Sequence, residues 1–253
     1  RSRLDGIGRD STPVLTFDDG YQEWIDIVAP SLRSRGLTAT FFACHAFRAE
    51  APRAHWVDEY YWLLDHARKP LLRVQLDDRI AYETRIDTRA GKREAVTGAL
   101  KRRLIGASPE SAAALLDAVA EATGREAPPR LAKELYLSDS QWRNLAAEFD
   151  VGGHSMTHRT ATTLSEADLT DELHATSAWL RELNGIPVWS HPDGDTSARV
   201  EDLVAGAGYE GAVGVGAAGG RYNLPRRFAT ASAIAEALEA PTAVARADAA
   251  LCD

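Results

Sequence analysis

Methionine occurs once and cysteine twice in the 253 residues. The two cysteines, Cys44 and Cys252, sit far apart and in unlike surroundings, so neither a disulfide framework nor a CxxC redox or zinc pair is encoded. Cys44 closes the apolar run Thr40-Phe41-Phe42-Ala43-Cys44 and reads as a small buried hydrophobe. No stretch approaches the roughly 20 apolar residues that cross a bilayer, which excludes a membrane-spanning segment. Cationic excess is also missing. Lys+Arg 29 against Asp+Glu 37 leaves a net charge of −8, so the chain has no overall electrostatic footprint for nucleic acid, although a local basic patch is compatible with it. The opening residues Arg1-Ser2-Arg3-Leu4-Asp5 carry no apolar signal segment. That slightly favours a cytoplasmic protein, while a mature or truncated form from outside the cell would look the same. There is no internal repeat, and the only biased tract is the alanine-rich C-terminal end.

What is present is an ordinary globular composition, 45% apolar and 26% charged, with length enough for one large domain and a sizeable core. Val14-Leu15-Thr16-Phe17 reads as a buried strand that ends in the turn Asp18-Asp19-Gly20. Helical spacing of Trp24, Ile25, Ile27, Val28 and Leu32 predicts a helix over 23–35, capped by Gly36. Thr38 to Ala43 is a second strand, so the start is β-α-β with parallel strands. Residues 46–137 have a different texture, with an aromatic helix around 57–68, a charged segment and helical patterns near 92–105 and 109–123. They read as a helical insertion. The alternation then resumes with a capping box at Ser138 and Gln141, a helix from about 165 to 184, a strand at 188–190, a helix at 198–206, and strand candidates at 209–215 and 224–228. Strand-helix alternation with chemistry-bearing residues after strand ends predicts an open or distorted (β/α) barrel, one domain over 1–253 interrupted by the insertion.

Two adjacent carboxylates, Asp18 and Asp19, at a strand end repel each other, and one of them gains from a cation; a solvated Asp-Asp-Gly turn is the plainer reading of that triplet alone. In His154-Ser155-Met156-Thr157-His158 the imidazoles stand at i and i+4, one helical turn apart, so that both can converge on one ion; such a spacing alone is a weak signal. Together these residues make a 2-His-1-carboxylate set with open positions. His45 ends the second strand and could line a pocket. His55, His66 and His174 belong to no pattern. Trp56, Tyr60, Tyr61 and Trp62 could stack on sugar, but such a cluster more often forms the core of a small subdomain. The glycines at 206, 208, 211, 214 and 216 do not form a G-x-G-x-x-G fingerprint, which excludes that nucleotide motif.

The segments Thr16-Phe17-Asp18-Asp19-Gly20 and His154-Ser155-Met156-Thr157-His158 resemble the first two signature motifs of the polysaccharide deacetylases, the NodB-homology domains of carbohydrate esterase family four. Thr38-Ala39-Thr40-Phe41-Phe42 is similar to that family's second strand, and Trp189-Ser190-His191-Pro192-Asp193-Gly194 to its third motif. The resemblance covers residues 12–45 and roughly 138–228. It implies a distorted (β/α)7 barrel and removal of acetyl groups from an N-acetylated sugar, oligosaccharide or glycolipid. It further implies one divalent metal ion held by Asp19, His154 and His158, with zinc first and cobalt, nickel or iron as other choices. Asp18 would be the general base, and the backbone N–H of Asp193 would help hold the oxyanion. Tyr21, His45, Trp189 and Arg226 stand as candidate substrate contacts.

Two departures from the family pattern matter. The arginine that usually opens the third motif and orients the base is replaced by Ser190. The histidine that usually protonates the leaving amine near the C-terminal end is missing, so His191 is the candidate general acid, while Arg226 could orient substrate or base. An O-acetyl esterase, which has a better leaving group, a non-sugar amidase, or a catalytically weak sugar-binding member of the fold are the alternatives. The sequence does not address oligomeric state.

Overall fold

The computed structural model describes residues 14–75, 81–105, 107–215 and 220–230. Within them a six-stranded parallel sheet carries β1 (Leu15–Asp19), β2 (Ala39–Ala43), β5 (Asp150–Gly153), β6 (Val188–Ser190), β7 (Gly211–Val215) and β8 (Leu224–Arg226), hydrogen-bonded in that order. The sheet curls into an incomplete barrel of the NodB-homology type. Cys252 and the alanine-rich end lie outside the described residues, and no described helix is long and apolar enough to cross a membrane.

β2, β6 and β7 fall where the sequence predicts them and are largely buried; β1 also lies at its predicted place but is not the buried strand expected, because it is the edge of the sheet, with Leu15 exposed and Thr16 to Asp19 half-buried. Phe41, Ala43, Val151, Trp189 and Ala212 are buried beneath helices α1 (Ala29–Arg33), α7 (Asp139–Ala146), α8 (Glu166–Glu182) and α9 (Ala198–Gly206), which supply Leu32, Trp142, Leu173, Trp179 and Val200 to one core. The capping box of α7 forms as expected: Ser138 Oγ accepts from the Gln141 N–H, and Gln141 Oε1 accepts from the Ser138 N–H at 2.8 Å. The first helix departs from the expectation. Residues Trp24–Val28 form a π-helical stretch that passes directly into α1, whose Pro30 sits in its first turn. That wider turn goes with a hydrogen bond from Trp24 Nε1 to the backbone carbonyl of Asp18, 3.1 Å, which ties the helix start to the end of β1.

Between β2 and β5 the chain builds a second core. Helices α2 (Trp56–Asp65), α3 (Arg89–Thr97), α4 (Ala99–Ile105) and α5 (Pro109–Thr123) pack with a hairpin, β3 (Leu71–Gln75) antiparallel to β4 (Ala81–Arg85). A short α6 (Leu131–Leu135) then leads back toward the sheet. The expectation of a purely helical segment is corrected by that hairpin: Leu72 and Val74 alternate with exposed neighbours along β3, a period-two pattern inside what read as a charged stretch. Tyr60, Leu63, Leu72, Tyr82, Leu100 and Leu116 form the cluster, so the aromatic run around α2 is packing at Tyr60.

Register decides where the chemistry sits. Asp19 of β1 pairs with Ala43 of β2, Ala43 with Gly153 of β5, and Gly153 with Trp189 of β6. The residues at the ends of these strands, Asp18, Asp19, His154 and Ser190, are therefore gathered at the carboxyl edge of one sheet, where open parallel sheets place their sites. Gly153 allows this crowding. A Cβ there would lie 2.7 Å from Thr176 Cγ2 and 3.1 Å from Leu180 Cδ1 of α8.

Candidate functional site

Asp19, His154 and His158 each offer one ligand atom, and these atoms all lie within 4.8 Å of one another. His158 Nε2 is 3.4 Å and His154 Nε2 3.7 Å from Asp19 Oδ1, a buried oxygen with no hydrogen-bond partner. An orphaned carboxylate oxygen facing two imidazole nitrogens is what a divalent-cation site looks like without the cation, and the donor set suits zinc or a similar ion. His154 is buried and its Nδ1 lies 2.9 Å from the Ser190 carbonyl, which fixes Nδ1 as the protonated nitrogen and turns the Nε2 lone pair toward Asp19. Burial lowers His154 to about 4, so it is neutral and ready to ligate.

The two histidines are not on a helix. Ser155 and His158 adopt positive φ, 72° and 57°, and the segment is an irregular loop after β5. Its shape is held by hydrogen bonds. Ser155 Oγ accepts from the His158 N–H at 2.8 Å, while the Glu172 carboxylate on α8 accepts from the N–H groups of Met156, 2.7 Å, and Thr157, 3.2 Å, and from the Thr157 hydroxyl. The imidazole rings meet edge to face, 4.9 Å between centroids. Four of the five non-glycine residues with positive φ among the described residues are Asp19, Ser155, His158 and Asp193, so backbone strain concentrates at this cluster.

Beside Asp19, Asp18 receives a two-pronged ion pair from Arg226 of β8, Nη1–Oδ1 2.6 Å and Nη2–Oδ2 2.8 Å. Ser190 Oγ lies 3.4 Å from Asp18 Oδ1. Burial pushes the Asp18 carboxyl up, but His154, the Arg226 fork and His158 outweigh it and hold the group below its ordinary value. Asp19 goes the other way: burial, with the fields of Asp18, Asp58 and Asp193, overcomes the pull of His158 and lifts it to about 6. Two neighbouring carboxyls are thus driven apart, one kept ionised and one left wanting a positive partner.

The remaining candidates separate into two groups. Asp193 sits in the 3₁₀ turn Pro192–Gly194 with φ 59°, its side chain exposed and held by the Thr160 hydroxyl. His45 is half-buried at the mouth of a cavity of about 390 Å³ that also borders His158 and Thr157. Tyr21 is drawn away from that cavity, its hydroxyl donating to Asp58, 3.2 Å, beside Tyr136. Trp189 corrects the expectation of a substrate contact: it is fully buried under α8 and α9 against Tyr209, because strand β6 turns that side chain to the core. His191 is also fully buried. Its Nε2 meets the Tyr222 carbonyl at 2.9 Å, Nδ1 has no partner among the described residues, and burial lowers its basicity; among the described residues no hydrogen bond or ion pair joins it to the carboxylates or imidazoles of the cluster. Sequence reasoning missed Glu172, which looks like any helix-surface acid, and His55, whose ring packs on Phe47 at 4.4 Å and meets His158 at 5.6 Å.

The family model described as polysaccharide deacetylase matches residues 6–66, the segment that contains Asp18 and Asp19. That match spans about a quarter of the chain. No curated protein sequence matches it. Among solved structures, IcaB from Ammonifex degensii superposes with a TM-score of 0.50 at 14% identity, over 90% of this chain and 72% of that one. The deacetylase domain of BpsB from Bordetella bronchiseptica gives 0.49 at 13%, over 84% and 69%. The Streptococcus pyogenes deacetylase PplD in complex with acetate gives 0.47 at 13%, over 84% of this chain and 62% of that one. The polysaccharide deacetylase match and the IcaB likeness agree with the curled parallel sheet, and this chain spans less than two thirds of PplD.

Proposed function

We propose that the chain is a metal-dependent hydrolase that removes an acetyl group from an N-acetylated sugar or glycan. The observation that carries this reading is the convergence of Asp19, His154 and His158 beside a second, separately ion-paired carboxylate. When bound, a divalent ion supplies a water of lowered pKa and a Lewis acid for the acetyl carbonyl. Asp19 and the two imidazoles would hold it. Asp18, kept ionised and oriented by Arg226, accepts the proton of the attacking water. The backbone N–H of Asp193, in a left-handed turn, would help hold the developing oxyanion. Residues 46–137, read as an insertion within the one domain, supply the far wall of the cavity next to His158. A pure binding module has no use for an oriented base beside the ion.

A second reading is favoured by one observation, the burial of His191 away from the cluster. An O-acetyl ester leaves as an alkoxide and needs less help from an acid. The test measures acetate released by the zinc- or cobalt-loaded protein from N-acetylated and O-acetylated sugars, with Asp18→Asn as control. Release from amides that Asp18→Asn abolishes supports the first reading; release from esters alone supports the second. No release with metal bound overturns both.

A further inference from the structure

The cavity beside His158 is basic in a protein of net charge −8. Arg48, Arg53 and Arg159 line it together with His45, His55 and His158, and no Asp or Glu is among its lining residues. Two of the arginines are already spent. Arg48 is bound by Asp139, 2.9 Å, and Arg53 by Glu59, 2.5 Å, and Asp117, 2.9 Å, all from outside the cavity wall. Arg159 is half-buried and has no carboxylate within ion-pair distance among the described residues; Glu110, exposed at the start of α5, feels only its field. It follows the ligand His158 directly in the chain. His55 is buried on the same wall, its ring packed on Phe47. The opposite wall is apolar, with Leu116 and Ile105 among its residues.

A half-buried guanidinium without a counter-ion among the described residues and a volume of about 390 Å³ bordered by His158 describe a subsite with defined wants. We propose that this cavity receives an anionic group, phosphate or carboxylate, carried by the acetylated sugar, with Arg159 as the specificity-determining residue. The inference rests on the deacetylase reading and narrows its substrate class to acidic amino sugars. Arg159 forks onto the anion, the acetyl group faces Asp19, and no group is transferred in the cavity itself.

The metal-loaded enzyme is assayed with N-acetylglucosamine, N-acetylglucosamine 6-phosphate and N-acetylmuramic acid, which separate neutral, phosphate and carboxylate. A preference in kcat/KM for one of the two acids is expected. Loss of a charge-assisted bond predicts that Arg159→Ala shrinks that preference by about 10- to 100-fold, that Arg159→Lys restores part of it, and that added salt weakens it. Equal kcat/KM for all three sugars, or an Arg159→Ala loss equal for all three, overturns the proposal. Calorimetry with glucosamine 6-phosphate, or with muramic acid, reads the subsite without turnover. Binding of either that Arg159→Ala weakens supports the subsite even if no acetate is released, which would sink only the deacetylase reading; absent binding together with absent preference sinks the subsite alone.

Discussion

Arg226 closes a fork on Asp18, Nη1 2.6 Å from Oδ1 and Nη2 2.8 Å from Oδ2, from the last strand of the sheet to the first. The arginine missing at Ser190 is thereby replaced in space by one 36 residues further on (226 − 190 = 36). Ser190 keeps a smaller share of the task through its hydroxyl, 3.4 Å from the same oxygen, and its carbonyl on His154. Arg226→Ala is expected to leave a buried carboxylate that is harder to ionise. The sign follows from the cause: Arg226 is among the groups that lower Asp18, so its loss raises that group and moves the acid limb of kcat/KM to higher pH. An accompanying loss of about 10- to 100-fold is expected from the removed orientation and charge. Arg226→Lys should recover the position of the limb better than the rate, because a point charge cannot fork. A pH profile of both variants checks this.

Asp19 sets a different pH dependence. In the metal-free protein burial lifts it from 3.8 to about 6, so between those values the folded chain keeps a proton that the unfolded chain has lost. Metal-free stability therefore falls as pH rises across that window. A divalent ion competes for the same oxygen, so its binding tightens over the window and releases a proton. Zinc titrations in two buffers of different ionisation enthalpy, together with denaturation in chelator, check both halves. Asp19→Asn should flatten the two curves, and a wild-type affinity independent of pH below about 6 would contradict the assignment.

Much of this was legible in the sequence, and the reasons are local. Short β-rich runs, one between Pro13 and Asp18-Asp19-Gly20 and one soon after Gly36, mark β1 and β2, and Ser138 with Gln141 announces α7, because turn chemistry and capping act over a few residues. The ligand set follows from residue types at strand ends. What escaped depends on contacts between distant segments. The loop after β5 takes its shape from Glu172, fourteen residues past His158 (172 − 158 = 14), so the imidazole spacing looked helical when it is not. The fate of Trp189 turns on which side of β6 it faces, a matter of register with β5 and β7, and that of His191 on the turn after β6, where its N–H bonds the Val213 carbonyl and its Nε2 meets the Tyr222 carbonyl. Arg226 was legible as a residue that could orient substrate or base, and the closing curl of the sheet is what puts its fork on Asp18.

His191 is expected to serve the loop rather than the chemistry. His191→Gln keeps an amide nitrogen near the place of Nε2, able to donate to the Tyr222 carbonyl that Nε2 now meets at 2.9 Å. Its rate should fall by far less than the roughly 100-fold or more that loss of a general acid brings, with the alkaline limb in place. A vanished alkaline limb would return the acid role to this residue.

Glu172 acts through the loop it grips. Removing it in Glu172→Ala frees the N–H groups of Met156 and Thr157, which are bound at 2.7 and 3.2 Å, and with them the orientation of His158. Outer-shell losses of this kind cost about 10- to 100-fold in metal affinity. Competition against a chelator measures it, and His154→Ala gives the scale for loss of a true ligand. Unaltered affinity with an altered melting temperature would make Glu172 structural only.

Gly153 tests the packing that brings β5 and α8 together. An added Cβ would stand 2.7 Å from Thr176 Cγ2 and 3.1 Å from Leu180 Cδ1, and Thr176 is fully buried, so neither helix nor strand can yield freely. Gly153→Ala should cost about 1–3 kcal/mol of stability by overpacking. The offending methyl is removable. Thr176→Ser loses roughly 1 kcal/mol of burial alone, yet in the Gly153→Ala background it relieves the clash, so the pair should couple favourably by at least about 0.5 kcal/mol. Urea denaturation of the four proteins gives the cycle. Because His154 follows Gly153 directly, the same strain should weaken zinc binding in Gly153→Ala and be relieved in the double variant. Additive stabilities would show that the strand shifts away from α8 instead of pressing on it.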